Sequence, residues 1–294
     1  MRVLVVGAAG HLGSAVARHF AGSTEVTATT RADLDVRDHR AVQAAVTRVS
    51  PDVVINCSAY TDVDRAEDEP AEALEVNAFA VKRLAGTARA AGAAFVHYST
   101  DFVFDGTADR PYTEEDEPNP RSTYACSKLI GEWFAREAGR HYVLRVESVF
   151  GSLAPSSSPR RTSVDRILDA ILEDREARVF VDRTVSPSYS ADVARATQDL
   201  VERRAPDGLY HCVSSGSCTW EALAREAARQ LNIEPRLALI RMADARLRAE
   251  RPAYCALANA RLAGAGVAMP SWQDALARYL RDRVGSPVGP AARP

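Results

Sequence analysis

Along the first half of the chain, short apolar runs rich in β-branched residues alternate with longer Ala-, Leu- and Arg-rich stretches whose apolar positions recur every three or four residues. The first pattern predicts buried strands and the second amphipathic helices. Strands are expected over residues 2–6, 25–30, 52–56, 94–99, 142–146 and 208–213. Helices are expected over 12–20, 40–49, 70–91, 124–138, 164–172, 191–204 and 220–231. "VLVV", "VVI" and "FVHY" are apolar almost throughout, as strands covered on both faces of a parallel sheet must be. The fold class that follows is α/β, a Rossmann-type doubly wound parallel sheet built from βαβ units.

The alternation loosens after Gly151. The segment "GSLAPSSSPRRTS" is a polar, Pro- and Ser-rich loop, longer than a tight connection requires. We expect a dinucleotide-binding domain over 1–150 and a smaller substrate-binding lobe over 151–284, some of whose segments return to the main sheet. Residues 285–294, "GSPVGPAARP", lack apolar periodicity and are expected to form a disordered tail.

Composition narrows the function. A chain of 294 residues can bury a large core. Its formal net charge of −2 does not supply the basic stripe that phosphate backbones require, so a small soluble ligand is expected and a nucleic acid is not. Five scattered cysteines (Cys57, Cys126, Cys212, Cys218, Cys255) show no metal-ligand spacing and cannot all pair within the chain, which points to structural thiols in a reducing compartment. With no run resembling a signal peptide or a bilayer span, the expected location is cytoplasmic, with no membrane partner.

The candidate chemistry gathers at strand ends. "VGAAGHLG" puts Gly7, Gly10 and Gly13 between the first strand and the first helix, where backbone N–H groups and the helix dipole can hold a pyrophosphate. Arg31, just past the second strand, suits the 2′-phosphate of NADP, so NADPH is favoured and NADH is possible; Asp35 and Val36 are placed to border an adenine. Cys57, Ser58 and Ala59 are small enough to let a cofactor lie against the third strand's end. The fourth strand delivers Ser99, Thr100 and Asp101 to the same edge in "STDFVFDG". In "YACSKLIGE", Tyr124 and Lys128 stand four apart on a predicted helix and share a face. Ketone reduction needs a proton donor beside the hydride donor. A tyrosine serves if a cation supports its phenolate, a part open to Lys128, while Thr100 can steady the developing oxyanion.

The ordered set "GAAGHLG", "NCSAYTDVDRAE", "STDFVFDG", "YACSKLIGE", "RVESVFG", "DRTVSPSYSADVA" and "RPAYCAL" resembles the extended short-chain dehydrogenase/reductase superfamily, and within it the RmlD-like dTDP-4-dehydrorhamnose reductase family, from residue 1 to about residue 283. The resemblance implies reduction of the C4 ketone of a dTDP-4-keto-6-deoxy sugar with NADPH or NADH. It implies Thr100, Tyr124 and Lys128 as catalytic residues. Cofactor contacts would come from Gly7, Gly10, His11, Leu12, Gly13, Asp35, Val36, Ser58, Ala59 and Tyr60, and sugar contacts from Thr61, Val63, Asp101 and Phe102.

Two positions depart from the family pattern. Ser148 stands where a tryptophan usually packs on the sugar, which removes a stacking platform. Ala15 stands where some members place an acidic residue that helps hold a dimer-bridging magnesium, so no metal is expected, and the chain should be a monomer or a homodimer without a metal-bridged interface. Arg160, Arg161, Arg183 and above all Arg251 are candidates for the substrate diphosphate. Two other readings share parts of the pattern. One is a non-catalytic nucleotide-binding subunit resembling the methionine adenosyltransferase β subunit, which would not need Thr100, Tyr124 and Lys128 together. The other is a dehydratase or epimerase; a dehydratase would want an Asp-Glu pair after the threonine, where this chain has Asp101 and Phe102.

Overall fold

The computed structural model of the chain describes residues 1–151 and 161–284. The expected tail at 285–294 and most of the Pro- and Ser-rich loop lie outside the described residues.

The first half lays down β1 (Arg2–Val6), α1 (His11–Ala21), β2 (Glu25–Thr29), α2 (His39–Val49), β3 (Val53–Asn56), α3 (Val63–Ala66), α4 (Pro70–Leu74), α5 (Ala80–Ala90), β4 (Ala94–Thr100), α6 (Thr123–Ala135) and β5 (His141–Val146). The second half adds β6 (Val149–Phe150), α7 (Ser163–Leu172), β7 (Ala177–Phe180), β8 (Thr184–Val185), β9 (Ser188–Tyr189), α8 (Ser190–Glu202) and β10 (Gly208–His211). It closes with β11 (Cys218–Thr219), α9 (Trp220–Leu231), β12 (Leu237–Ile240), α10 (Ala260–Gly264) and α11 (Trp272–Val284). The main sheet has six strands in the order β10-β5-β4-β3-β1-β2, and every pairing in it is parallel. Strand order reverses at β1, so a crevice opens beyond the carboxyl ends of β1 and β3.

Both faces of this sheet are covered, which is why its strands read as continuous apolar runs. Val3, Val5, Val53, Ile55 and Val96 pack with Val16 and Phe20 of α1 and Val193 and Leu200 of α8. The alternate residues Leu4, Val6, Val54 and Phe95 pack on the opposite face with Val42 of α2 and Val81 and Leu84 of α5. A second core joins Phe150, Leu168, Trp220, Leu223, Trp272, Leu276 and Tyr279. The parallel pair β7–β12 and the helix α11 belong to this region and were absent from the expected elements. The two strands are four residues each, too short for a convincing alternation. Helix α11 is thick with Arg and Asp, although its buried Trp272, Ala275, Leu276, Tyr279 and Leu280 do follow helical spacing. Among the described residues, no helix is long and apolar enough to cross a membrane.

The long helix expected over 70–91 is interrupted by a π-helical turn, Glu75–Phe79, between α4 and α5. That turn aims Asn77 inward. Its Oδ1 accepts from the Tyr60 backbone N–H at 2.8 Å, and its Nδ2 donates to the Tyr60 carbonyl and to Ser127 Oγ, both at 3.0 Å. One side chain thus ties the loop after β3 to helix α6, a use of a π-turn that often marks a functional region.

A buried ion pair sets α6 against the sheet. Arg145 Nε and Nη2 of β5 donate to Glu132 Oε1 and Oε2, each at 2.8 Å, with the two side chains 2% and 0% exposed. Ser99 Oγ of β4 donates to the same Oε1 at 2.5 Å, and the guanidinium lies 4.9 Å from the ring centroid of Phe104. Removing one partner would strand a desolvated charge. Arg145→Met is therefore expected to lower the unfolding free energy by about 3–5 kcal/mol, read from denaturant midpoints, whereas a change below about 1 kcal/mol would show the pair to be dispensable.

Candidate active site

Two adjoining clefts follow the carboxyl edge of the sheet, of about 750 Å³ and about 730 Å³, sharing Gly10, Cys57, Ser58, Ala59 and Thr61 in their walls. Together they take in every residue singled out from the sequence as a site candidate, apart from Arg160, which lies outside the described residues.

The second cleft begins at the glycine turn. Gly7 has φ +80°, and a Cβ there would come within 2.7 Å of the Ser58 backbone N; a Cβ on Gly13 would come within 2.3 Å of the Gly7 carbonyl. Only glycine lets strand, turn and helix close up this far, and the result is a cradle of backbone at the start of α1. Val36 and Tyr60 line the same cleft. Asp35 does too, but its carboxylate is clamped by Arg37, whose Nε lies at 2.9 and 3.1 Å and Nη2 at 2.5 Å, and that guanidinium pulls its pKa down to about 2. Arg37 also reaches Glu72 at 2.9 Å. Arg31 is 75% exposed, with Glu72 4.0 Å away, so it is the more accessible of two cations at this mouth. Arg37 escaped the sequence reading; the signal was its spacing of two from Asp35.

The larger cleft carries the chemical end. Gly10, His11, Leu12 and Gly13 line one wall, and Ser99, Thr100, Asp101, Phe102, Tyr124 and Lys128 another. Thr100 closes β4 and accepts at Oγ1 from the Phe102 N–H at 3.2 Å while donating to Asp101 Oδ1 at 2.8 Å. Helix α6 starts at Thr123, capped by Ser122 Oγ accepting from the Ala125 N–H at 3.3 Å, which fixes Tyr124 in the first turn. The phenol lines the same cleft as the Thr100 hydroxyl. Its ring meets Phe102 edge-on at 5.7 Å. Burial, then the nearby Asp101 carboxylate, push the Tyr124 pKa up and keep the phenol protonated.

Four residues on from Tyr124 in α6, Lys128 donates from Nζ to the Tyr98 carbonyl at 2.5 Å. Burial lowers its pKa to about 8. The hydroxyl of Ser99, expected to face a cofactor, is instead committed to Glu132. Cys57 remains a thiol, its pKa pushed up by burial.

Thr61, Val63, Ser148 and Arg251 line the same cleft. Ser148 sits at φ +42°, a left-handed conformation that costs a non-glycine residue roughly 1–2 kcal/mol, so the chain after β5 is held tightly at the cleft. Arg251 is less available than expected for a diphosphate, because its fork is taken by Asp64 at 2.7 and 2.9 Å, pulling that carboxylate down to about 2. Arg161 pairs with Asp169 at 2.6 Å. Arg183 lies 5.2 Å from the ring centroid of Phe102. Arg166 and Trp220, which sequence reasoning missed, also line the cleft; Arg166 is exposed on the face of α7 that also carries Ser163 and Asp169.

A glycine-turn nucleotide cradle and a Thr-Tyr-Lys group on one parallel-sheet edge define a reductase-type member of the short-chain dehydrogenase/reductase class. More specifically, the chain matches the RmlD substrate binding domain over residues 1–284 and belongs to that family. It is 36% identical to a dTDP-4-dehydrorhamnose reductase of Streptomyces griseus over 98% of this chain and 96% of that one. It is 33% identical to a dTDP-4-keto-6-deoxy-D-glucose reductase of Streptomyces niveus, over 80% of each chain. A crystal structure of the Bacillus anthracis dTDP-4-dehydrorhamnose reductase in complex with NADP superposes with a TM-score of 0.88 at 29% identity, covering 95% of this chain and 98% of that one.

Because the folded pKa of Lys128, about 8, lies below its ordinary 10.5, the unfolded chain binds more protons between those values. Stability should therefore rise with pH across that window through this group, and Lys128→Met should flatten the slope. NMR of reductively methylated protein should show one lysine titrating near 8; a Lys128 signal titrating near 10.5 would contradict its burial.

Proposed function

We propose that the protein reduces the C4 ketone of a dTDP-4-keto-6-deoxy sugar using NADPH. The observation that carries this reading is the meeting of Thr100, Tyr124 and Lys128 in a cleft continuous with the glycine cradle. NADPH, when bound, supplies the hydride. Gly7, Gly10 and Gly13 would hold its pyrophosphate against the start of α1, with Arg31 beside the ribose phosphate. Lys128, seated on the Tyr98 carbonyl, is the cation placed to meet the sugar hydroxyls of the nicotinamide half. Tyr124, kept protonated, donates to the carbonyl oxygen as negative charge develops there, and Thr100 hydrogen-bonds to the same oxygen.

The substrate side of the cleft would be formed by Thr61, Val63, Phe102 and Ser148, with the second core supplying the wall around Arg166, Arg183 and Trp220. Since Asp64 occupies Arg251, Arg166, exposed on the cleft wall, is better placed for the diphosphate. Ser148 leaves room that an aromatic side chain would fill, which favours a sugar held more by its edges than by stacking. A cytoplasmic location belongs to the same reading, supported by five cysteines that are all free thiols. So does a monomer or a homodimer without a bridging metal, for which Ala15 is the support. The complete triad and relatives named as reductases favour catalysis over a purely nucleotide-binding role.

Tyr124→Phe is expected to lower kcat for NADPH oxidation with dTDP-4-keto-L-rhamnose by about 10²- to 10⁴-fold while NADPH affinity stays within about twofold. An unchanged kcat would remove Tyr124 from the chemistry. Arg31→Ala should weaken NADPH binding about tenfold and leave NADH binding unaltered, as measured by cofactor fluorescence; equal loss for both would move the phosphate contact elsewhere, to Arg37.

A further inference from the structure

Behind Thr100 lies a buried cluster of charge that the reaction above does not use. Asp101 lines the cleft, whereas Glu147, at the end of β5, does not and sits behind it; the two residues are 3% and 1% exposed. Their carboxylate oxygens and Cys255 Sγ lie within 4.8 Å of one another. Arg183 packs against the group, its Nη2 donating to Cys255 Sγ at 3.7 Å. Glu147 Oε2 accepts from the Ser186 N–H at 2.5 Å, and Asp101 Oδ1 from the Thr100 hydroxyl at 2.8 Å. In this cluster, three buried polar atoms have no partner among the described residues: Asp101 Oδ2, Glu147 Oε1 and Arg183 Nε.

The other titratable groups facing the pair are neutral acids. Tyr124 faces Asp101, Cys218 and Tyr254 face Glu147, and Cys255 faces both, each with its pKa raised by burial. Among the described residues, Arg183 is the cation that acts on both carboxylates. Its guanidinium also fills the charge role that a metal ion would otherwise take in such a group. One positive charge balances one carboxylate. Two carboxylates this close in a dry site cannot both ionise, so the second must carry a proton. Burial and mutual repulsion raise the proton affinity of Glu147 strongly, and burial raises that of Asp101.

We propose that Asp101 and Glu147 share one proton, and that Glu147 is the positioning residue that keeps Asp101 an acid behind Thr100 and Tyr124. The bearing on Tyr124 rests on the ketoreductase reading; the shared proton does not. With one proton held between the carboxylates, the charge behind Thr100 stays at a single carboxylate balanced by Arg183, and the Thr100 hydroxyl can turn from Asp101 Oδ1 to the substrate oxygen. The Tyr124 O–H bond breaks as the O–H bond on the substrate oxygen forms, and the phenolate takes its next proton from water in the cleft. The carboxyl pair keeps its own proton throughout.

Infrared spectroscopy of the protein without substrate at neutral pH tests the stored proton. A buried carboxylic-acid C=O band should be present and should vanish in both Glu147→Gln and Asp101→Asn, because each leaves one carboxylate ionised beside Arg183. The amide oxygen introduced by Glu147→Gln can still accept from the Ser186 N–H, so the fold is preserved, and Asp101→Asn provides an independent second reading of the band. Glu147→Gln should also lower kcat about 10- to 100-fold, shift the pH profile of kcat and leave NADPH affinity unchanged. A band that survives in either variant overturns the shared proton, and a Glu147→Gln pH profile superimposable on the parent's overturns the positioning role. A parent protein that shows the band yet reduces no dTDP-4-keto sugar overturns the function proposed above and leaves the shared proton standing.

Discussion

The bidentate contact between Glu132 and Arg145 fixes the roll of α6 about its own axis, and the candidate site depends on that roll. Tyr124, Lys128 and Glu132 follow one another at intervals of four residues, so one face of the helix carries all three. Anchoring the last of them to β5, and to β4 through Ser99, aims the first two at the cleft. The pair is unfavourable to desolvate, and a well-packed apolar substitute could be as stable. What an apolar substitute would lack is direction, since hydrophobic contact tolerates rotations that two parallel N–H···O bonds do not. Asn77 makes a second fixed contact with the same helix through Ser127, and an irregular turn in its own helix is what brings it there.

The electrostatics of the site divide between its two ends. At the glycine end, positive charge is abundant but partly neutralised, with Arg37 clamped on Asp35 while Arg31 projects into solvent. At the chemical end the strongest influences are burial and paired acids. Lys128 is held by a backbone carbonyl on the cleft wall that it shares with Tyr124. The phenol's own neighbours are Thr100 and, through it, the acidic group formed with Glu147.

Much of the site was legible in the sequence because its residues stand at the ends of regular elements. Once β1, β3 and β4 are recognised by their apolar runs, Gly7, Ser58 and Thr100 must share an edge, since all strands in a parallel sheet end on the same side. Tyr124 and Lys128 follow from helical spacing. What could not be read was pairing across long separations. Nothing near Arg251 announces that Asp64 will occupy it, and nothing near Asp101 announces Glu147, because such partners are set by how loops pack. The π-turn was hidden for a related reason: its residues suit an ordinary helix, and only the contacts of Asn77 disclose the extra residue in the turn. The pair β7–β12 and helix α11 escaped because short strands and Arg-rich amphipathic helices carry weak local signals.

Strand β10 completes the main sheet by lying beside β5, with Gly208 opposite Tyr142, so the intervening chain, including α7 and α8, is looped out between two adjacent strands. Closing that loop opposes folding entropically in a way that no local preference can relieve, and it places this edge among the slow, non-local pairings. During synthesis, β5 must wait as an open edge until residue 211 has emerged. In that interval Tyr142, Val143 and Leu144 present unpaired backbone and apolar side chains to any extended chain nearby. The same strand carries Arg145, so the edge left open to mispairing on the ribosome is also the one that later aims the helix of the candidate site.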